Sequence, residues 1–268
     1  MSLNEQNMYD LEAHIAEIYD RFETQTEDIE FIHKGIAAGG PLRILEPFCG
    51  TGRILIPLAL DGHEVVGLDQ SQGMLARASM KVNQLAPEVQ ARIQLIEADA
   101  VSADWPVGFD LVILAGNCFY ELATAEEQAS TILLAAQVLK PGGRVYVDND
   151  HMEGELDPTW QEPGVSMAFP TATCEDGTRL SSSMETVWFD AERRLVRIRR
   201  RTQVRRADRT IFTREYIQQK HPVSVLEVHT WLEMYGFRIE ARFGNHDGSS
   251  YTDESPRAIF WARKKMGD

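Results

Sequence analysis

The chain has 268 residues, 43% of them hydrophobic and 25% charged, which is enough for one sizeable core with room for a small subdomain and excludes a disordered chain. No apolar run approaches the ~18–20 residues of a membrane span, and the polar, acidic start lacks a secretory leader pattern. The net charge of −14 disfavours nucleic acid and anionic membrane as partners.

Residues 8–38 read as two helices. Met8, Leu11, Ile15 and Ile18 recur at helical spacing, and a second helix starts near Thr26 and stops at Gly39-Gly40-Pro41. A regular alternation follows. Arg43–Leu45 reads as a strand, Ile54–Leu60 as a helix closed by Gly62, and Glu64–Leu68 as a second strand. A helix from Ser71 to about Leu85 is stopped by Pro87, and Ile93–Ile96 is the third strand. Asp110–Leu114 is the fourth. Thr124 with Glu127 forms a capping box for a helix that runs to Leu139, and Arg144–Val147 is the fifth strand. Short apolar strands alternating with helices predict an α/β fold, a mostly parallel sheet covered on both faces.

After residue 150 the pattern changes. Three runs between Thr178 and Gln219 alternate with period two, which predicts an antiparallel β insert. In the middle run Val196, Ile198 and Val204 share one face, and Arg197, Arg199, Arg201 and Arg205 the other. Ser224 with Glu227 opens a last helix ending at Gly236, and Phe237–Phe243 and Ala258–Lys264 form a terminal strand pair, the last strand antiparallel. The expected organisation is N-terminal helices over 1–41, a core over 42–150 and 221–268, and a β cap over 151–220 at the strand C-termini.

Three acidic or glycine sites follow successive strands. Gly50 and Gly52, in Glu46-Pro47-Phe48-Cys49-Gly50-Thr51-Gly52-Arg53, let backbone approach a ligand, and the helix that follows favours an anion at its start. Asp69 ends the second strand, where a carboxylate can accept both ribose hydroxyls, and Asp99-Ala100 follows the third, where an adenine amine can be bound. Together they describe one nucleotide-type crevice. A dinucleotide fingerprint is ruled out by Leu55 in the third glycine position, and a phosphate loop by the missing Gly-Lys-Ser/Thr.

The segment resembles motif I of class I S-adenosylmethionine-dependent methyltransferases, an acidic residue followed by x-x-x-G-x-G. The likeness covers 42–148, including Leu139-Lys140-Pro141-Gly142-Gly143, with Phe48 replacing a glycine common in that family. The resemblance implies a Rossmann-like, doubly wound sheet and S-adenosylmethionine as cofactor. It places Gly50 and Gly52 beside the methionyl part, Asp69 at the ribose, and Asp99 with the Ala100 amide at adenine. It extends the site to Glu46, Phe48, Arg53, Gln70, Met74, Ala115 and Asn117.

Ala115-Gly116-Asn117-Cys118-Phe119-Tyr120 is similar to the stretch after the fourth strand in glycine N-methyltransferase-like and sugar-amine N-methyltransferase-like enzymes. These also insert an antiparallel sheet after the fifth strand. The base-amine motif Asp/Asn-Pro-Pro-Tyr/Phe is absent from the chain. Where the glycine enzymes carry a carboxylate-binding Arg, this chain has Asp150, which would repel a carboxylate. The resemblance therefore implies a small-molecule acceptor, an amine or hydroxyl, that is neutral or cationic. Asp150, His151, Tyr120 and His246 are the candidate proton-handling residues, and Asn117, Asp150 and His246 the expected acceptor wall.

Residues 190–220 hold eleven Lys/Arg against four Asp/Glu. The alternative reading is an RNA or protein methyltransferase docking through this insert. It is the weaker one, because the alternation puts most of these charges on one solvated face where no aromatics are expected to interleave for stacking. A cofactor-holding module without catalysis is disfavoured by the full set of cofactor positions. The insert also offers a surface for homo-oligomer contacts. The three cysteines, odd in number and without CxxC spacing, fit a cytoplasmic setting, and the seven histidines lack metal-site spacing.

Overall fold

The computed structural model describes residues 3–37, 39–150 and 156–266, with side chains from Glu12 onward. His151 lies outside the described residues. The first two helices are α1 (Leu3–Phe22) and α2 (Glu27–Ile36). They lead into β1 (Arg43–Pro47), α3 (Leu55–Leu60), β2 (Glu64–Asp69), α4 (Gln72–Val82), α5 (Pro87–Gln90) and β3 (Ile93–Glu97). After β4 (Phe109–Leu114) come a 3-10 turn (Cys118–Glu121), α6 (Ala125–Val138) and β5 (Leu139–Asp150). The chain ends with α8 (Val225–Met234), β11 (Phe237–Phe243) and β12 (Arg257–Lys264).

One seven-stranded sheet has the order β11-β12-β5-β4-β1-β2-β3, with β12 antiparallel to both neighbours and the β3-to-β5 run parallel. Alternation within the strands gives each face its own core. Leu45, Val66, Val112 and Val145 pack under α6 and α8, through Ile132, Ala135 and Leu232. Ile44, Val65, Leu111 and Tyr146 pack under α2, α3 and α4, through Ile32, Leu58 and Leu75. This is the expected doubly wound fold with its last strand antiparallel.

Local differences have local causes. Pro87 does not merely stop a helix. It opens α5 at its first position, where a missing N–H costs nothing. Leu139 to Gly143 belong to β5, because Phe109 pairs with Leu139 before a register shift. At α6 the Thr124 side chain accepts from Glu127 N–H, but the Glu127 carboxylate reaches Ala123 N–H at 2.6 Å, one residue beyond a reciprocal box. At α8 the box between Ser224 and Glu227 is complete.

The insert holds a short helix α7 (Pro158–Gln161), two unpredicted strands β6 (Ser166–Ala168) and β7 (Ala172–Thr173), and the three expected long ones, β8 (Arg179–Asp190), β9 (Leu195–Arg205) and β10 (Ile211–Lys220). They form a second, antiparallel sheet ordered β10-β9-β8-β6, with β7 on β8. Two ion pairs are among its ties to the rest of the described chain. Lys220 pairs with Glu121 at 3.3 Å, and His14 of α1 meets Asp176 at 3.0 Å. Two of the arginines on its outer face are answered from within the sheet. Arg199 pairs with Glu185 and Glu215, and Arg197 lies 4.6 Å above the Trp188 ring. Aromatics do stand among the insert's arginines, contrary to the expectation from sequence: besides Trp188, Phe212 lies under Arg206. Tyr216 likewise lies under Arg214. Among the described residues no helix is long and apolar enough to cross a membrane.

Candidate active site

The turn after β1 is shaped by three residues at positive φ: Phe48 (64°), Gly50 (53°) and Gly52 (75°). Phe48 is the one that carries a side chain there, at a cost of ~1–2 kcal/mol, at the position where the resembled family favours glycine. Gly67 on β2 lets the turn approach closely, since a Cβ there would stand 2.6 Å from Cys49 Sγ and from Leu55 Cδ1. The turn is pinned to β2 by Asp69, whose carboxylate accepts from Gly50 N–H and Ser71 N–H, both at 2.8 Å. Burial raises the Asp69 pKa against these two bonds. Asp99 caps the next turn, accepting from Val101 N–H at 3.0 Å and Ser102 Oγ at 2.9 Å.

These turns border one cavity of about 500 Å³. Glu46, Phe48, Gly50, Arg53, Asp69, Gln70, Met74, Asp99, Ala100 and Ala115 all line it. Gly52 instead packs beneath Ile56. The far wall comes from elements that motif reading missed: Ile15 and Tyr19 of α1, and Arg200, Tyr216 and Gln218 of the insert. Arg200 was findable, because it shares strand parity with Val196, Ile198 and Val204. α3 is only six residues long, so its N-terminus offers less to an anion than expected.

Glu46 is 7% exposed, and its Oε2 has no hydrogen-bond partner. Burial, with Asp28 and Asp69 adding repulsion and Arg53 opposing it, pushes its pKa up to about 8. Such an orphaned carboxylate oxygen beside the cavity suits a cationic ligand group. Arg53 is committed to Asp28 and to the Gln25 carbonyl, leaving only its Nε without a partner.

A smaller cleft of about 200 Å³ adjoins the cavity, sharing Tyr19, Arg53 and Gly116 with it. His246, Asp148, Asn117 and Arg257 line it. His246 Nε2 lies 2.9 Å from Asp148 Oδ2, and Arg257 Nε donates to Asp148 Oδ1 at 2.8 Å. Asp148 is 1% exposed, yet His246 and Arg257 hold its pKa low against the desolvation that would raise it.

Asp150 does not present a free carboxylate. Arg257, its register partner on β12, binds it, and Asn117 Nδ2 donates to it at 3.0 Å. The preference for a neutral or cationic acceptor over a carboxylate, inferred from Asp150, loses its basis, since the charge is already answered. Tyr120 is buried. Its hydroxyl donates to the Asp150 carbonyl at 3.3 Å, and burial, then Asp150, raises its pKa. It is therefore a structural phenol in this arrangement. Asn117 is held at φ 59° and clamps β5, its Oδ1 accepting from Asp150 N–H at 2.7 Å.

Residues 44–143 match the family model described as a methyltransferase domain. This segment is a methyltransferase domain. Within it lie all three strand-end acids and the glycine turn. A ubiquinone biosynthesis O-methyltransferase from Pseudomonas putida F1 is 30% identical over 118 residues, 44% of this chain and 48% of that protein. The chain thus spans about half the length of the curated relatives it matches. Among solved structures, an S-adenosylmethionine-dependent methyltransferase from Clostridium acetobutylicum has a TM-score of 0.72 at 17% identity, covering 94% of this chain and 98% of that one. The sugar N-methyltransferase KedS8 from a Streptoalloteichus species has a TM-score of 0.71 at 18% identity, covering 96% and 92%. At these identities the likeness concerns the fold, and it extends through the insert as well as the methyltransferase domain.

Proposed function

We propose that the protein transfers a methyl group from S-adenosylmethionine to an amine or hydroxyl of a small molecule. The observation that carries this reading is the orphaned Glu46 oxygen beside a cavity walled by the motif residues and roofed by α1 and the insert. Glu46 would bind the cofactor's ammonium. Gly50 would lie along its methionyl chain, Asp69 would accept from the ribose hydroxyls, and Asp99 with the Ala100 amide would hold adenine. We take residues 151–220 as a cap on a core of 42–150 and 221–268. Three buried, unpaired cysteines suit a reducing, cytoplasmic setting.

When bound, the cofactor supplies a methyl group already activated on a sulfonium. The chain's own task is to align the acceptor, exclude water and take up a proton. His246 is the base we favour over Asp150 and Tyr120. With ionised Asp148 accepting at Nε2, the Nδ1 nitrogen is left basic, and Asp148 steadies the imidazolium once the acceptor's proton arrives. A cavity walled by three elements suits a small molecule better than RNA, and Arg197 and Arg199 of the outer face are already engaged within the sheet.

The test is calorimetric titration with S-adenosylhomocysteine, followed by a thermal-shift screen of amines and hydroxylated metabolites in its presence. Micromolar binding of the cofactor product and labelled-methyl transfer to a hit are the expected results. No binding at millimolar concentration would remove the reading.

A further inference from the structure

A second cavity of about 500 Å³ lies between α1 and the inner face of the insert sheet. It meets the cofactor cavity at Ile15, Tyr19, Arg200 and Tyr216, which line both. Most of its wall is apolar, with Ile18 and Phe22 of α1 facing Phe169 and Leu180 of the insert. Ser182 and Thr202 also line it, but their hydroxyls bond each other at 3.1 Å. Arg200 is the charged side chain that the two cavities have in common. Its Nε is buried and has no hydrogen-bond partner.

Among the described residues no acid forms an ion pair with Arg200: Glu23 also lines the chamber but is exposed, and Glu121 feels the Arg200 charge without bonding it. Glu121, the acid facing this side of the cofactor cavity, is bonded by Lys220 at 3.3 Å and by Gln218 at 3.0 Å. A guanidinium in a largely apolar chamber, with a donor left over, favours an anion, because an oxyanion bonds it about twice as strongly as a neutral oxygen does and an apolar occupant leaves the donor unmet. Asp150, which would have argued against an anion, is neutralised by Arg257 and does not line this chamber.

We propose that this chamber is the acceptor site, and that the acceptor is an amphipathic acid: an apolar, ring-sized body whose carboxylate, or a like oxyanion, is held by Arg200 while its nucleophile points toward the cofactor cavity. This rests on the methyltransferase reading above. It adds the acceptor's chemical class, which the motif residues do not address.

The test uses two fluorescent probes of similar apolar shape. 1-Anilinonaphthalene-8-sulfonate carries an anion, and N-phenyl-1-naphthylamine does not. With S-adenosylhomocysteine bound, the wild type should take both. Arg200→Gln should weaken the sulfonate by about tenfold while leaving the neutral probe within twofold. Ser182→Phe, which fills the second chamber alone, should weaken both, and Ile18→Trp from the facing helix does the same if the first variant fails to fold. Equal loss of both probes in Arg200→Gln, or unchanged binding in the filled chamber, would overturn the proposal. Failure of S-adenosylhomocysteine to bind wild-type protein would instead overturn the methyltransferase reading, so the two failures are distinct.

Discussion

Glu46 is the residue where burial and function conflict most openly. Its pKa is raised from 4.5 to about 8, so the free protein holds it protonated at neutral pH. The folded state binds this proton more tightly than the unfolded chain. The associated stability is full below about pH 4.5 and is lost as pH rises through about 8, with an upper limit of roughly 4–5 kcal/mol. Glu46→Gln should therefore flatten the pH dependence of melting between those limits and melt above wild type at pH 9. The same variant should bind S-adenosylhomocysteine more weakly. Ammonium binding favours the carboxylate, so complex formation at pH 7 should release a proton, visible as a dependence of calorimetric heat on buffer ionisation enthalpy. Asp69 differs in that two backbone amides already hold it. Asp69→Ala should cost ~1.5–3 kcal/mol of S-adenosylhomocysteine affinity, read by titration. Unchanged affinity would contradict the ribose assignment.

Among the elements, α1 is the one whose placement decides whether the cavity closes. Asp20 fastens it to the core, accepting from Thr51 Oγ1 and pairing with Arg77 and Lys81, both at 2.9 Å. Desolvation raises the Asp20 pKa, but these three partners outweigh it and the net shift is downward. Its stabilisation is thus present above the ordinary carboxylate range and fades as pH falls through the depressed value. Asp20→Ala should cost ~1–3 kcal/mol of stability at pH 7 and less in acid, measurable by denaturant titration at both pH values. Gly73 on α4 makes a second, steric contact. A Cβ there would stand 2.5 Å from the Glu12 carbonyl carbon, so Gly73→Ala should push α1 outward and raise hydrogen exchange along it. Neither tie could be read from the sequence. Asp20 and Gly73 look like ordinary surface positions until the two helices are brought together, whereas Glu46, Asp69 and Asp99 announce themselves because each ends a strand in a local pattern. Arg200 falls between these cases, since strand parity points it inward but says nothing of what it faces.

At the scale of the molecule, the alternation of short strands and helices sufficed to predict both sheets and the antiparallel final strand, because period and order are local properties. The joining of sheet to sheet was hidden. It rests on distant contacts, among them Lys220 with Glu121 and, through α1, His14 with Asp176, pairs 99 and 162 residues apart. Charge was legible in amount but not in use. The insert's arginines form a basic run in sequence, yet Glu185, Glu215 and Trp188 engage Arg199 and Arg197 from neighbouring strands. Short RNA should therefore bind weakly, if at all, at 0.15 M salt, and any binding seen at 0.02 M should fall steeply with added salt. Salt-resistant, submicromolar binding would revive a nucleic-acid role.

The roof over the cofactor cavity has a kinetic consequence. α1 supplies Ile15 and Tyr19 to both chambers, so in the proposed function a spent cofactor would leave past a helix clamped by two ion pairs and one hydroxyl at Asp20. Turnover would then be timed by unlatching rather than by chemistry, with the acceptor-derived product departing first. Screening weakens such pairs. Moderate salt should accelerate S-adenosylhomocysteine release in stopped-flow displacement, and Asp20→Ala should release it quickly at every ionic strength.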